Sequence, residues 1–284
     1  MQAVLLGINP LVIIGAFWMA SLNEWRWAAL PLLGLFSLAL GGTLAWMAAR
    51  VLRMDRVRTG TMFVQGSFTN MGSFGTLFCF VFLGEQGLVF GVMFRLLEEL
   101  MYYLVGFPVA KAYGEGGQEQ NGMGRTFLRL VKDPFIIVSF IAILIGGTLN
   151  FSGLERPAFY STLNEWLVPL GTFLLLISIG FHLKIGSLRG YWKESAIIGM
   201  IKFVLVPICT VGIAYGLGLG QIDDGLMLKV VLIMSTMPPA MMAMIPTQLY
   251  NLDKELAGAI FVINNMVLVI VLPVLYMLVN GGPW

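Results

Sequence analysis

The stretch M-S-T-M-P-P-A at residues 234–240 places two adjacent prolines, Pro238 and Pro239, in the middle of a long apolar run. Proline lacks a backbone N–H and clashes with the carbonyl group four residues earlier, so the pair predicts a break in a helix. Such a break frees backbone polar groups, which a bilayer tolerates only within protein or beside a wet cavity. The stretch therefore predicts an interrupted membrane helix that lines an internal site, with a simple proline kink as the alternative.

The composition of the whole chain indicates a membrane protein. Hydrophobic residues make up 58% of the 284 residues and charged residues 11%, with mean hydropathy +0.87, whereas soluble domains are about 25% charged. An ordinary soluble enzyme, a nucleic-acid-binding protein and a disordered chain are therefore excluded. Because the chain has one histidine, His182, and two cysteines in apolar runs, we expect no metal site, no cofactor and no disulfide framework.

Nine stretches are apolar and about long enough to cross a bilayer, which predicts an all-α integral membrane protein with nine transmembrane helices. We label them A (2–21), B (27–49), C (59–83), D (87–110), E (134–151), F (164–183), G (195–219), H (225–250) and I (256–279). A hydrophilic segment divides them, so we expect a first repeat of four helices at 1–112, a cytoplasmic loop at 113–133 and a second repeat of five helices at 134–284.

The distribution of positive charge predicts the orientation of these spans. Alternate loops carry twelve lysines and arginines, namely Arg50, Arg53, Arg56, Arg58, Lys111, Arg125, Arg129, Lys132, Lys184, Arg189, Lys193 and Lys254. The intervening loops carry only Arg26 and Arg156. Since positive loops stay in the cytoplasm, we expect a multi-pass protein of the cell's inner (plasma) membrane, with its N-terminus cytoplasmic and its C-terminus outside.

Span C resembles span H at an offset near 167 residues. The sequence G-S-F-T-N-M-G-S-F-G begins at Gly66, and its Thr69 falls opposite Thr236 of the M-S-T-M-P-P-A stretch. Because span C starts inside and span H outside, the two copies would be inverted in the membrane, as in many secondary transporters. Chance similarity between apolar helices is the alternative. Span C has no proline at the matching place, but its glycines and polar residues also favour a break.

Two broken helices that meet near the bilayer midplane would present positive dipole ends, which attract a carboxylate. The candidate substrate-binding residues are the polar residues and prolines of the two breaks, with two asparagines of span I: Ser67, Thr69, Asn70, Ser235, Thr236, Pro238, Pro239, Asn264 and Asn265. Asparagine in a membrane helix also forms hydrogen bonds between helices. For Asn264 and Asn265, helix packing is as good an interpretation as substrate binding.

Ionisable residues within spans are the remaining candidates, because they are costly in lipid and usually functional or paired. Arg95 and Glu99 are four residues apart and are expected to pair on one helix face. That pairing leaves Glu98 as a candidate proton or sodium site. Lys202 in span G could attract an anion, but we expect it to snorkel toward the cytoplasmic surface.

Several motifs together resemble the auxin efflux carrier family of membrane permeases. The second break and the residues after it, S-T-M-P-P-A and T-Q-L-Y-N-L-D-K-E-L-A-G-A-I-F-V-I-N-N, are similar to the last two helices of that family. The stretches S-F-T-N-M-G-S-F-G at 67–75 and F-L-G-E-Q-G-L at 82–88 are similar to its first crossover helix and the following turn. The sequence departs from the family in lacking an opening helix and in having no proline after Asn70.

The resemblance implies two inverted repeats with two broken crossover helices, in a transport domain that moves against a scaffold domain. It implies elevator-like transport of organic anions such as malate, malonate or indole-acetate-like acids, and homodimerisation through the scaffold helices. The expected partners are thus a small organic anion and the bilayer, with coupling to H⁺ or Na⁺ open. The alternatives are a sodium-coupled symporter of the bile-acid type, which shares the broad architecture, and a non-transporting membrane sensor.

Overall fold

The computed structural model describes residues 7–19, 25–114, 134–160, 162–164, 166–167, 170 and 190–282. The regular elements in these ranges are helices, and one isolated antiparallel bridge joins Thr69 to Pro239. Most of the predicted span F and of the loop at 113–133 lies outside the described residues. The number of spans and the division into repeats therefore stay predictions.

Twelve α-helices account for most of the described chain. They are α1 Asn9–Trp18, α2 Ala29–Val51, α3 Arg56–Ser67, α4 Thr76–Phe94, α5 Glu98–Met101, α6 Phe107–Tyr113, α7 Pro134–Phe151, α8 Trp192–Met200, α9 Val206–Gly216, α10 Leu226–Ser235, α11 Met244–Leu249 and α12 Lys254–Gly281. Single π-helical turns join α5 to α6 and α8 to α9, and a third, Met71–Gly75, leads into α4.

Four of the described stretches are long and apolar enough to cross a membrane: Arg26–Val51, Met71–Tyr113, Trp192–Gly216 and Lys254–Gly281. The second bends at Gly84, whose φ of 72° is accessible to glycine and divides α4 into two limbs. Residue 84 lies where the sequence predicts the turn between spans C and D. The described residues thus form an all-α protein with several apolar helices, as the sequence predicts.

Helix α2 packs against α3, α4, α9 and α10 and so lies at the centre of this part of the fold. Its approach to α3 depends on small residues, because a Cβ atom at Gly41 would fall on the carbonyl oxygen of Gly66. A Cβ atom at Gly42 would lie 2.9 Å from Cβ of Ser67. The two backbones therefore touch beside Ser67, where α3 ends.

Helices α1 and α7 pack against each other and contact the rest of the fold through α4. A buried ion pair strengthens that junction: Arg156, with a side chain 3% exposed, lies 2.6 Å from Glu85 at the bend of α4. Arg156 also donates to the carbonyl of Gly15, and the Asn164 amide donates to Glu85. Glu85 and Arg156 come from loops that the sequence assigns to one side of the membrane.

The opposite side shows matching contacts between loops. Arg58 donates to Asp253 at 3.2 Å, and its guanidinium lies over the ring of Tyr191. Arg56 donates to the carbonyl of Ala112. Loops predicted to share a face therefore do lie together, and which face is cytoplasmic stays a prediction.

We predict that Gly41→Ala destabilises the protein, because the added methyl group forces α2 away from α3. Overpacking of this kind costs about 1–3 kcal/mol, which thermal unfolding in detergent would detect as a lower Tm. Gly212→Ala in α9 is the matched control, since a Cβ atom there meets nothing within 4 Å. Equal Tm values for the two variants would contradict the close approach of α2 and α3.

Candidate functional site

Two helices of this fold are interrupted at their middles. Helix α3 ends at Ser67, the backbone is extended at Phe68 (φ −76°, ψ 116°), and the helix restarts at Met71. Helix α10 ends at Ser235, and the chain is again extended at Ala240 (φ −78°, ψ 150°) before a short turn leads into α11. The first interruption, Phe68–Asn70, and the second, Thr236–Ala240, are called the first and second break below.

The two breaks pair with each other through their backbones. The N–H of Asn70 donates to the carbonyl of Pro238 at 2.8 Å, and the N–H of Ala240 donates to the carbonyl of Phe68 at 3.0 Å. In the second break Pro238 thus supplies the acceptor and Ala240 the donor, while the two prolines have no N–H group of their own to satisfy. Each break thereby satisfies polar groups of the other in a region where lipid could not.

Lys202 lies at this junction, and the expectation that it snorkels to the surface is wrong. Its side chain is 1% exposed, and its ammonium donates to Thr69 Oγ1 and to the carbonyl of Phe68 at 3.5 Å. The carbonyl at the C-terminal end of α3 carries partial negative charge, and Lys202 is held by it rather than by water. The Lys202 amino group is therefore held beside the first break.

A second group of charged residues reaches the same break. Arg95 lies 2.7 Å from Glu98 Oε2, and the hydroxyl of Tyr102 lies 2.7 Å from Glu98 Oε1. That hydroxyl accepts from the N–H of Thr69 at 3.0 Å and lies 2.9 Å from its carbonyl oxygen. A continuous chain of hydrogen bonds therefore connects Arg95 and Glu98 to Thr69, and through it to Lys202.

The ion pair corrects the expectation that Arg95 binds Glu99 and leaves Glu98 free. Helix α4 ends at Phe94, and a turn separates it from α5. Because the helix is not continuous here, the four-residue spacing does not decide which glutamate pairs with Arg95. Glu98, three residues after Arg95, forms the ion pair. Glu98 is 5% exposed, and its role in proton or sodium coupling stays a prediction.

The guanidinium group of Arg95 also lies close to the helix that begins again after the first break. A Cβ atom at Gly72 would lie 2.9 Å from the guanidinium carbon, so this glycine lets Arg95 lie against the backbone. Lys202 and Arg95 thus approach the first break from two different helices.

Several buried polar atoms near the end of α3 have no hydrogen-bond partner among the described residues. They are both side-chain polar atoms of Gln65, Ser67 Oγ and Asn70 Nδ2. Buried polar groups are nearly always paired with protein, water or ligand, so these atoms indicate a place for polar ligand groups. Ser67 and Asn70 were candidates from the sequence, whereas Gln65 was not, although an amide inside an apolar span is a detectable signal.

The polar residues of the second break have a different arrangement. Ser235 donates to the carbonyl of Val231 at 2.6 Å, and Thr236 donates to that of Leu232 at 2.6 Å. These bonds cap the last turn of α10 and leave the hydroxyl oxygens as acceptors. Pro238 and Pro239 lie in the backbone pairing itself, as described above.

Thr236 also lines a cavity of about 640 Å³ beside the second break. The other lining residues are almost all apolar and come from the stretch before α9, α9 itself, α10 and α12, among them Phe203, Pro207 and Leu275. Phe203 directly follows Lys202 in the chain. An apolar space whose wall includes the hydroxyl-bearing residues Tyr215 and Thr236 therefore lies next in the chain to the lysine at the junction.

Asn264 and Asn265 bond within the helix bundle rather than to the breaks. The Asn264 amide donates to the carbonyls of Ser195 and Ile260 at 3.2 and 2.9 Å, which joins α12 to α8. The Asn265 amide donates to the carbonyl of Phe261 at 2.7 Å in its own helix. These contacts fit the packing interpretation, and a role for the two residues in substrate binding stays a prediction.

Comparisons with known proteins agree with a transport role. The profile of a family described as "Membrane transport protein" matches residues 8–276. The chain is 23% identical over 244 residues to an uncharacterized transporter of Methanothermobacter thermautotrophicus, and the aligned region covers 86% of this chain and 76% of the relative. It is also 24% identical over 241 residues to an uncharacterized transporter of Methanocaldococcus jannaschii, and that aligned region covers 81% of this chain and 72% of the relative.

We predict that Tyr102→Phe destabilises the protein, because the N–H of Thr69 and a carboxylate oxygen of Glu98 lose a buried partner. Leaving buried groups unsatisfied costs about 1–3 kcal/mol, which thermal unfolding would register as a lower Tm. The control is Tyr276→Phe, since Tyr276 is 52% exposed. Equal Tm values for the two variants would show that the Tyr102 hydroxyl does not hold the first break.

Proposed function

Because the chain belongs to the membrane transport protein family, the auxin efflux carrier family that its motifs resemble, we propose that it is a secondary transporter of small organic anions. The family and the relatives are transporters and not enzymes. The substrate class rests on one observation above the others. Two helix breaks pair with each other, the first of them contacts a buried lysine, and polar atoms at the end of α3 have no partner among the described residues.

The negative group of the substrate binds beside the first break in this proposal. Lys202 has three N–H donors and uses two of them on Phe68 and Thr69, so one donor is left for a carboxylate. The side-chain amides of Gln65 and Asn70 supply further donors. A charge-assisted bond of this kind is stronger than a neutral one, which gives the site its preference for acids.

The body of the substrate occupies the cavity that Thr236 lines. Its size of about 640 Å³ lies within the range of small-molecule sites, and its apolar lining favours an acid with a hydrocarbon or aromatic body. A short dicarboxylate would bury its second charge against apolar side chains at a large cost. Among the acids that the family resemblance implies, we therefore favour the apolar monocarboxylates.

The two breaks act as the crossover of a moving domain. We assign spans B, C, D, G, H and I to this domain and A, E and F to a scaffold. The packing of α2 against α3, α4, α9 and α10 supports one unit, and the separate pairing of α1 with α7 supports the other. Elevator-like alternating access then requires the buried contact between Arg156 and Glu85 to open and reform.

Coupling to a proton through Glu98 fits the surroundings better than coupling to sodium at the first break. The Phe68 carbonyl and the Thr69 hydroxyl are oxygen ligands of the type sodium needs, but Lys202 already binds them. Glu98 faces both Arg95 and the Tyr102 hydroxyl. Protonation of Glu98 would weaken its hold on Arg95 and so alter the first break.

A homodimer through the scaffold is the proposed assembly. Helix α7 exposes large apolar side chains at helical spacing, namely Ile137, Phe140, Ile141, Leu144 and Ile145. Their stripe is continuous along one face, as a helix facing lipid or a second copy requires. Mass measurement of the purified protein in detergent tests the stoichiometry, and a monomer would contradict this assembly.

Uptake of labelled monocarboxylates and dicarboxylates into proteoliposomes tests the proposed function. We predict uptake by the wild-type protein and at least tenfold slower uptake by Lys202→Gln, because the fixed charge is lost. Lys229→Gln is the matched control, since this lysine is half-buried in α10 and contacts neither break through a described hydrogen bond. Thermal unfolding of each variant checks that it is folded.

The same assay decides between the rival functions. Replacement of Pro238 and Pro239 by alanine should also reduce uptake, and unchanged uptake in that variant would refute the role of the break. Uptake that requires sodium would favour the symporter of the bile-acid type. Binding of an acid without any uptake would favour a membrane sensor.

A further inference from the structure

A second cavity lies on the face that the sequence predicts to be cytoplasmic, where three helix ends meet. Its lining residues are distant in the chain from the second break. Its volume is about 410 Å³, and it is lined by Arg50, Met54, Arg56, Thr59, Ala112 and Tyr113. Arg50 lies at the end of α2, Arg56 at the start of α3 and Tyr113 at the end of α6. The cavity is therefore built from the ends of three helices, α2, α3 and α6.

The charge around this cavity is positive and uncompensated among the described residues. Neither Arg50 nor Arg56 forms an ion pair with a described carboxylate. The carboxylate of Asp55, next to Arg56, instead accepts from the N–H of Arg58 at 2.8 Å, and Asp253 pairs with the Arg58 side chain. Both of these carboxylates thus contact Arg58 and form no ion pair with Arg50 or Arg56.

The hydroxyl of Tyr113 adds a directed donor to these charges. It accepts from Trp46 Nε1 at 2.8 Å and from Arg50 at 3.4 Å. With both acceptor positions used, its own hydrogen has no described acceptor and can only donate. The Arg50 guanidinium is held in turn over the ring of Trp46, 5.3 Å from its centroid. Tyr113 and Arg50 are therefore oriented before any ligand arrives.

The donors in this cavity match one chemical group. Two guanidinium groups and the Tyr113 hydroxyl line a volume large enough for a phosphate group with its ester substituents, while the Thr59 hydroxyl donates to the carbonyl of Asp55. Arginine binds phosphate through paired N–H donors. Basic pockets beside transmembrane helices on the cytoplasmic side recognise anionic lipid headgroups, and Trp46 beneath the cavity is a residue type that prefers the membrane interface.

We infer that this cavity binds a phosphate group at the membrane surface, either in the headgroup of an anionic phospholipid or in a small soluble phosphate ester. The site is separate from the paired breaks and is independent of the transported acid. It ties the ends of α2, α3 and α6 together through a shared ligand. Binding therefore stabilises the first repeat and does not change which acid is carried.

Thermal unfolding of the purified full-length protein in a neutral detergent tests this inference. One arm adds a short-chain phosphatidylglycerol, a second the matching phosphatidylcholine, and a third glycerol phosphate. A ligand that binds only the folded protein raises its Tm. We expect phosphatidylglycerol to raise Tm and phosphatidylcholine, whose headgroup has no net charge, to leave it unchanged. An equal rise with glycerol phosphate would identify the soluble ester as the ligand source.

Three variants separate a built site from diffuse attraction by a basic surface. Arg50→Gln with Arg56→Gln should weaken binding at least about tenfold, since two charge-assisted contacts are lost. Arg53→Gln with Lys193→Gln removes the same charge from exposed positions on the same face and should leave binding intact. Tyr113→Phe keeps every charge and should still weaken binding, and it stands in for the arginine variant if that protein does not fold.

Two results would overturn the inference. The first is no Tm rise with any phosphate compound in the wild-type protein. The second is an equal loss of binding in the two double variants together with unchanged binding in Tyr113→Phe, which would show that surface charge alone attracts the ligand. Neither result depends on uptake of the acid into proteoliposomes. The phosphate-binding inference and the transport function can therefore be disproved separately.

Discussion

A helix that unwinds inside a bilayer must find partners for the backbone groups it releases, and in this protein each of two unwound segments is the other's partner. Asn70 donates to Pro238 and Ala240 donates to Phe68. Each break therefore depends on the other for part of its backbone hydrogen bonding. The close approach of α2 to α3, which needs glycine at position 41, holds the end of α3 at this junction.

The two unwound segments also create the chemistry of the site. An unwound backbone exposes carbonyl groups, and one of them, at Phe68, binds a lysine that would otherwise be expected to reach for the membrane surface. The result is a buried amino group, 1% exposed, beside the first break. Next to it lies an apolar cavity with Thr236 at its wall. An amino group beside an apolar space is the feature on which the proposed preference for amphipathic acids rests.

The sequence predicts the second break to within a few residues, because paired prolines are incompatible with a continuous helix. Glycine and polar residues in span C also predict roughly where the first break lies. They do not reveal why the helix breaks there, because the break pairs with a segment far away in the chain. The environment of Lys202 is hidden for the same reason, since its partners belong to another helix. The pairing of Arg95 with Glu98 escapes prediction because it depends on a turn between α4 and α5 that no apolar periodicity reveals.

The most direct test of this site compares acids with their own uncharged amides in binding to the purified protein. The two members of each pair have nearly the same shape, so their difference isolates the negative charge. We predict that an apolar monocarboxylate raises the Tm of the wild-type protein in proportion to its concentration, whereas its amide does not, and that the difference disappears in Lys202→Gln. Equal stabilisation by acid and amide, or an acid effect that survives in Lys202→Gln, would contradict an anion site at the paired breaks.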